Sequence, residues 1–508
     1  MPHYLTPLIC GLPWLFTGSC LAQADVETTK CSNPDFSQVL SCYKDKLSSE
    51  PLIYNLLSQE NLPGLEWRRY QLTSQQWAPE NLVSPAAWQH EVEIFIPTGS
   101  TSTQALVVIN NGINHATSTD PASGPTDFSI DLLQKIARET DTLVISISTI
   151  PNQYLEYQQD GVPRKEDFSV ARSWTLFMDA PESRSTLPLQ VPMAAAVSQA
   201  MTLAQQALPQ KALDSFIVTG LSKRGWTTWL TALADTRVVA MVPFVIDLLD
   251  TRAALEHMYK SYGGNWPIAF TPYYQDEIDK KLETPGFSKL MQIIDPMQYM
   301  GTEYQSRLSI PKYIINASGD DFYVPDNTDF YYDKLSGEKV LRVAPNSSHY
   351  GIKAFSEQSL IPFVNRLRQS TALPQVDSSI EMKEKLQTLT VKLSETPNKV
   401  LLWTAANNEA RDFRYACDVS YTAFPLAVTP ENTLEIALTA PASGWQATFV
   451  EATFSDGFVA TTPVYISPKE SYPTTAPPIG GAACKTLPGR NLVVIENAAQ
   501  TETAVAAD

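Results

Sequence analysis

The stretch VTGLSKRGWTTW, residues 218–229, sets a serine on the exit of an apolar run, with Gly220 two positions before Ser222 and Gly225 three after it. A serine hydroxyl is a weak nucleophile until a base takes its proton. A tight turn from strand to helix displays such a hydroxyl and aims helix N-terminal amides at a developing oxyanion. The usual glycine pattern there is G-x-S-x-G. Arg224 occupies the second position after Ser222, so the match is partial. Serine also caps ordinary helices, and the rest of the constellation has to decide.

Chain order supplies the test. Around a nucleophile on such a turn the partners follow in the order serine, acid, histidine. Two histidines come after Ser222. His257, in the helical stretch TRAALEHMYKSYG, reads as a packing or surface residue; His349, in VLRVAPNSSHYG, follows a strand in a loop suited to a base. The acid that orients the imidazole belongs after the preceding strand, where YIINASGDDFYVPD offers Asp320, Asp321 and Asp326. Asp247, ending FVID, is an alternative one strand earlier. An oxyanion hole needs two donors. One is the Lys223 amide; the other comes from the loop after LVVIN, around Asn111, Gly112 and Ile113. Lys223 and Arg224 read as helix-face residues with solvent or structural partners rather than as a clamp for a substrate carboxylate. Trp226 and Trp229 share one helical face and pack the nucleophile helix. No C-x-x-C or histidine-rich spacing calls for a metal, and no cofactor is expected.

The scaffold is legible around these residues. QALVVIN, DTLVISIST, SFIVTG, VVAMVPFVID, PKYIINA and KVLRVAP are near-continuous apolar runs, separated by helical patterns such as DFSIDLLQKIARET and PMAAAVSQAMTLAQQAL. Buried strands alternating with helices predict an α/β fold, a mostly parallel sheet with helices on both faces. GLEWRRYQLTSQQW and WQHEVEIFIP read as antiparallel strands, after a helical lead-in over 25–60. Beyond about residue 375 the texture changes to short strands with turn residues between them (LQTLTVKLS, KVLLWTAA, TLEIALTAP, GWQATFVEATFS, VATTPVYIS), a β-sandwich pattern. The expected division is 1–24 a signal peptide, 25–374 the α/β domain, 375–470 the β domain, and 471–508 a Pro/Gly linker, a short strand (NLVVIEN) and a tail.

The signal peptide rests on the apolar stretch Leu5–Phe16 followed by Ala22-Gln23-Ala24, with cleavage after Ala24, and it predicts a secreted or periplasmic protein. Such a compartment oxidises thiols. Of six cysteines, Cys31, Cys42, Cys417 and Cys484 remain in the mature chain, and nearest neighbours are expected to pair. A formal net charge of −17 argues against nucleic acid, whose phosphates need basic patches. No later segment has the length and apolarity of a transmembrane helix. The expected partners are a small-molecule or peptide substrate of unknown identity and, for the β domain, a protein.

The chain resembles the PhoPQ-activated pathogenicity-related family, which also contains autocrine proliferation repressor proteins. The resemblance is carried by TSQQW with WQHEVEIFIP, TGLSKRGWTTWLTAL, VPFVIDLLD, IINASGDDFYVPDN, PNSSHYG, ARDFRYAC and GWQATFVEATFSDG, in the family's order from about residue 45 to 465. It implies an α/β hydrolase followed by an immunoglobulin-like β domain. It matches the family's serine to Ser222, its histidine to His349, and its acid to the Gly319-Asp320-Asp321 segment, favouring Asp320. NNGIN stands where the family usually has a more glycine-rich loop. Together these readings predict a serine hydrolase acting on an unknown ester or amide, with a non-catalytic secreted factor on the same scaffold as the alternative.

Overall fold

The computed structural model describes Cys31 and residues 35–115, 120–383 and 386–490. The expected signal peptide, the NLVVIEN strand and the tail lie outside these residues. The central sheet is built from β1 (Ile53–Leu62), β2 (Leu65–Gln76), β3 (Ala87–Pro97), β4 (Gln104–Ile109), β5 (Leu143–Ile147), β6 (Ser215–Leu221), β7 (Val238–Phe244), β8 (Lys312–Ala317) and β9 (Lys339–Ala344). Their order across the sheet is β1-β2-β3-β5-β4-β6-β7-β8-β9. The first three strands and the β3–β5 join are antiparallel; from β5 to β9 every pairing is parallel.

The apolar runs have a direct cause. Successive strand side chains point to opposite faces, and both faces are covered. Ala105, Val107 and Ile109 of β4 belong to one core, Leu106 and Val108 to the other. The first core takes in helices α1 (Val39–Ser48), α4 (Gln190–Ala207) and α5 (Lys223–Ala234). The second takes in α2 (Ile130–Thr140) and α8 (Ser356–Arg368). Helix α3 (Glu166–Asp179) precedes α4, and between β7 and β8 the chain makes an excursion carrying α6 (Thr251–Ser261) and α7 (Pro285–Ile294). A mostly parallel sheet between helices, with the Ser222 turn at the C-terminal end of a central strand, is the α/β-hydrolase architecture.

Two antiparallel sheets follow. One is β10 (Val376–Lys383), β11 (Leu386–Leu393) and β14 (Thr433–Leu438); the other is β12 (Lys399–Asn407), β13 (Thr422–Pro425), β15 (Trp445–Thr453), β16 (Val459–Thr461) and β17 (Tyr465–Ser467). Leu389 and Val391 of one sheet and Val450 and Ala452 of the other share a core with Tyr313 and Phe363, so the sandwich closes on the second face of the hydrolase sheet. Val343 donates its amide to Thr461 Oγ1 at 3.0 Å across that junction.

Four details depart from the sequence reading. The helical lead-in stops at Ser48, and β1 begins at Ile53. β10 was not expected: its side chains are mostly exposed, so the apolar alternation that marks a strand is missing. The short strand β13 was not expected either. The Pro/Gly stretch after 470 is a packed strap rather than a loose linker. Thr486–Pro488 pairs with Asn265–Pro267, and a side chain at Gly263 would collide with the Thr475 backbone. Cys31 is bonded to Cys42 and Cys417 to Cys484, the nearest-neighbour pairing. Among the described residues no helix is long and apolar enough to cross a membrane.

Candidate active site

Ser222 sits between β6 and α5 at φ 57°, ψ −124°. A non-glycine residue held there costs about 1–3 kcal/mol and persists only where its surroundings over-determine it. They do so here. The Ser222 amide donates to Phe244 O at 2.9 Å, and the Ser222 carbonyl accepts from Trp226 N at 2.9 Å, the first helical bond. The flanking glycines make room for the turn. A Cβ on Gly220 would stand 2.6 Å from Arg224 O, and one on Gly225 2.6 Å from Phe244 O. The displaced second glycine therefore serves contact between the helix and the neighbouring strand.

His349, in the loop after β9, is buried, and its Nδ1 lies 3.0 and 2.9 Å from the two carboxylate oxygens of Asp320. Asp320 Oδ1 also accepts from Phe322 N at 2.7 Å. The opposite ring nitrogen, Nε2, is buried and has no hydrogen-bond partner, so the Ser222 hydroxyl is not bonded to it. Ser222 and His349 line one cavity of about 220 Å³, together with Asn111, Lys223 and Tyr350.

The other acids are used elsewhere. Asp321 accepts from the His349 amide at 3.2 Å. Burial, then the neighbouring Asp320, raises its carboxyl above the usual range. Asp247 is buried, accepts from Tyr331 OH at 2.7 Å, and is pushed well above the ordinary carboxylate range by burial. It is not among the hydrogen-bond partners of His349. Asp326 pairs with Arg411 at 2.5 Å and with His257 Nε2 at 3.0 Å. Burial alone would raise it, but His257 and Arg411 outweigh that and hold it low. His257 is thus a buried structural residue.

In the loop after β4, Ile113 donates its amide to Ser123 O at 2.9 Å, so that donor is spent. Gly112 has φ 129°, and a Cβ there would meet Ser123 O and Thr149 Cγ2 at 3.2 Å. Asn111 ties the loop down, its Oδ1 accepting from Thr126 N at 2.6 Å and Asp127 N at 3.0 Å.

A feature the sequence reading missed surrounds the first turn of α5, a helix buried along its whole length. Buried charges must be paired. Lys223 Nζ meets Glu166 at 2.8 Å and Asp167 at 3.1 Å; Arg224 meets Glu166 at 2.6 Å and Asp127 at 3.2 Å. Burial would raise the Glu166 carboxyl, but Arg224 and Lys223 more than offset it and hold it at about 2. Glu166 itself sits at φ 52° on the first residue of α3. The signal was the Lys-Glu-Asp run at 165–167, two adjacent acids opening a helix.

The family model described as PhoPQ-activated pathogenicity-related protein matches residues 40–414. Autocrine proliferation repressor protein A of Dictyostelium discoideum is 31% identical over 409 residues, covering 76% of this chain and 79% of that protein. Among solved structures, an acetyl xylan esterase from Paenibacillus sp. R4 is 15% identical over 66% of this chain and 98% of its own, at a TM-score of 0.42. Acetyl xylan esterase 1 from Thermoanaerobacterium sp. JW/SL YS485 is 14% identical over 65% of this chain and 94% of its own, at 0.41. The chain belongs to the PhoPQ-activated pathogenicity-related family.

Proposed function

We propose that this protein is a serine hydrolase that cleaves an ester or amide by acyl transfer, and that it works in an oxidising compartment, secreted or periplasmic. The observation that carries the reading is the pairing of a strained Ser222 turn with an Asp320-anchored His349 on the wall of one cavity. Ser222 Oγ attacks the carbonyl carbon while His349 Nε2 takes its proton. Asp320 holds the ring in the tautomer that leaves Nε2 free and stabilises the imidazolium. The amides of Lys223 and Gly112 receive the oxyanion. His349 then protonates the leaving group, and water resolves the acyl-enzyme by the same route. Catalytic hydrogen bonds are often long before substrate arrives, which fits an unpartnered Nε2. Two disulfides and the apolar N-terminal stretch support the compartment.

A fluorophosphonate probe tests the chemistry. It should label the wild-type protein at Ser222, and Ser222→Ala and His349→Ala should abolish labelling. A folded wild-type protein that takes up no probe supports the second reading, a non-catalytic factor using the scaffold for binding. That reading draws on the missing bond between Ser222 and His349 and on the name of the Dictyostelium relative, a proliferation repressor.

A further inference from the structure

Beside the candidate active-site cavity lies a second chamber of about 560 Å³. The two share Glu166, Asp167 and Tyr350 as a common wall. The chamber's floor is apolar, with Ile268, Pro272 and Phe322. Phe168 and Tyr350 stand at its rim, 41% and 66% exposed. A concave apolar surface with a few polar groups at its edge is the usual form of a small-molecule site. The outer wall comes from the C-terminal modules: Ala416 from the sandwich and Ala483 from the strap. Each is the residue just before a cysteine of the Cys417–Cys484 disulfide, so one covalent bond fixes both.

The chamber's position relative to His349 gives its role. Ser348 and Tyr350, both chamber-lining, flank His349 in sequence, and Asp321, also chamber-lining, accepts from the His349 backbone amide. The oxyanion donors proposed above lie on other elements, at Lys223 and in the loop after β4. In acyl transfer the group that receives the proton from the histidine departs on the histidine's side. We propose that this chamber is the leaving-group subsite, and that it takes an alcohol or amine with a bulky apolar body, aromatic or branched aliphatic, and no negative charge. The charge preference follows from Asp321, a wall carboxyl with no ion-pair partner among the described residues, while Glu166 and Asp167 are balanced by Lys223 and Arg224 and the one lysine of the rim, Lys165, is already paired with Asp120. The proposal rests on the serine hydrolase reading for its chemistry, but not for the existence of the site.

The test uses acetate esters that share an acyl group and differ in the alcohol. Benzyl acetate should exceed ethyl acetate in kcat/KM by roughly 10- to 100-fold, the usual reach of an apolar pocket. A 4-carboxybenzyl ester should lose most of that gain. Ala416 and Ala483 are exposed, so Ala416→Trp and Ala483→Trp fill the chamber without disturbing a core. They should erase the benzyl preference, chiefly through KM. Equal preference in wild type and both variants overturns the proposal. Binding is read separately on Ser222→Ala protein by titration with benzylamine. Saturable binding that Ala483→Trp removes supports the subsite even if no ester is turned over. Absent binding, or binding indifferent to the tryptophan, overturns it whatever the fate of the catalytic reading.

Discussion

Glu166→Gln is the sharpest probe of the charge cluster that moors helix α5. The substitution keeps the shape of the side chain and removes one negative charge from contact with Lys223 at 2.8 Å and Arg224 at 2.6 Å. The cost follows from the carboxyl's own equilibrium. Its ordinary value is 4.5, and the two cations hold it at about 2. At about 1.4 kcal/mol for each tenfold change, ionisation of Glu166 contributes about 3 kcal/mol to the folded state at neutral pH. Deleting one partner of a buried pair costs ~3–5 kcal/mol, an independent route to a similar figure. Because the folded-state value is depressed, the contribution is complete above pH 4.5 and disappears as pH falls through about 2. The difference between wild type and Glu166→Gln should therefore be about 3 kcal/mol at pH 7 and smaller by about 2 kcal/mol at pH 3. Urea unfolding followed by tryptophan fluorescence at pH 7, 5 and 3 reads it. A difference under about 1 kcal/mol at pH 7, or one that does not shrink at pH 3, refutes the claim that this carboxylate anchors the helix.

Gly220→Ala places a methyl group 2.6 Å from Arg224 O; overpacking of this kind costs ~1–3 kcal/mol, and a shift of the turn approaching 1 Å should slow fluorophosphonate labelling of Ser222 by about 100-fold. The Cys417–Cys484 bridge closes 67 residues, worth about 4 kcal/mol by loop-closure entropy, so the double serine variant should unfold at correspondingly lower urea and label more slowly in its native baseline. Asn346 has φ 53° and exchanges two hydrogen bonds with Tyr421, at 2.6 and 3.0 Å. Asn346→Gly keeps that conformation accessible and deletes the bonds, so it should lose ~1–3 kcal/mol of stability and slow labelling, with rescue by Asn346→Asp limited to the bond accepted from the Tyr421 amide. Burial lowers the His90 imidazole from 6.5 to about 4; stability it contributes above pH 6.5 is lost as pH falls through 4, about 3 kcal/mol in all, and a His90→Gln variant should lack that one-proton slope in urea midpoints measured from pH 7 to 4.

The α/β sheet was readable because its strands are buried on both faces. Burial on two sides leaves no polar positions, so QALVVIN and SFIVTG stand out as runs in the sequence. The chain order of Ser222, Asp320 and His349 was readable for a different reason: each lies where a strand of that sheet ends. The ion cluster was not. Lys223 and Arg224 read as helix-face residues with solvent or structural partners, and the choice falls to structural partners only once the helix is seen to be buried on every side, which depends on helices far away in the sequence. The strap was misread for a related reason. Proline and glycine mark a chain without regular structure, but they do not say whether it packs, and SYPTTAPPIGG packs its Thr475 backbone against Gly263, a contact that carries no sequence pattern. In the loop after β4, the sequence placed a candidate oxyanion donor among Asn111, Gly112 and Ile113 without choosing between them. The structure adds that Ser123 takes the Ile113 amide, which no local pattern announces.

The sandwich is more than an appendage to the hydrolase sheet, because it fixes the two loops that hold the candidate acid and base. Tyr415 N donates to Gly319 O at 3.0 Å, and a Cβ on Gly319 would lie 2.6 Å from that same nitrogen, so the acid loop can approach the sandwich only with glycine at this position. Tyr421 OH donates to Ser318 O at 3.3 Å, while the Tyr421 backbone is held by Asn346 in the histidine loop. The two loops are also tied directly, with Gly319 N donating to Ser347 O at 3.0 Å and Asn346 N to Ser318 Oγ at 2.9 Å. Loops at strand ends are ordinarily the mobile part of such a sheet. A third segment bonded to both removes that freedom, so the Asp320–His349 distance is set jointly by the hydrolase strands and by a stretch of chain that begins almost a hundred residues after the acid. Tyr415 and Tyr421 lie on either side of Cys417, so the disulfide to the strap constrains the same segment that constrains the two loops. Cooperative placement of this kind explains why the sandwich shares a continuous core with the hydrolase sheet instead of hanging from a linker: a tethered module free to move could not keep a carboxylate within 3.0 Å of an imidazole.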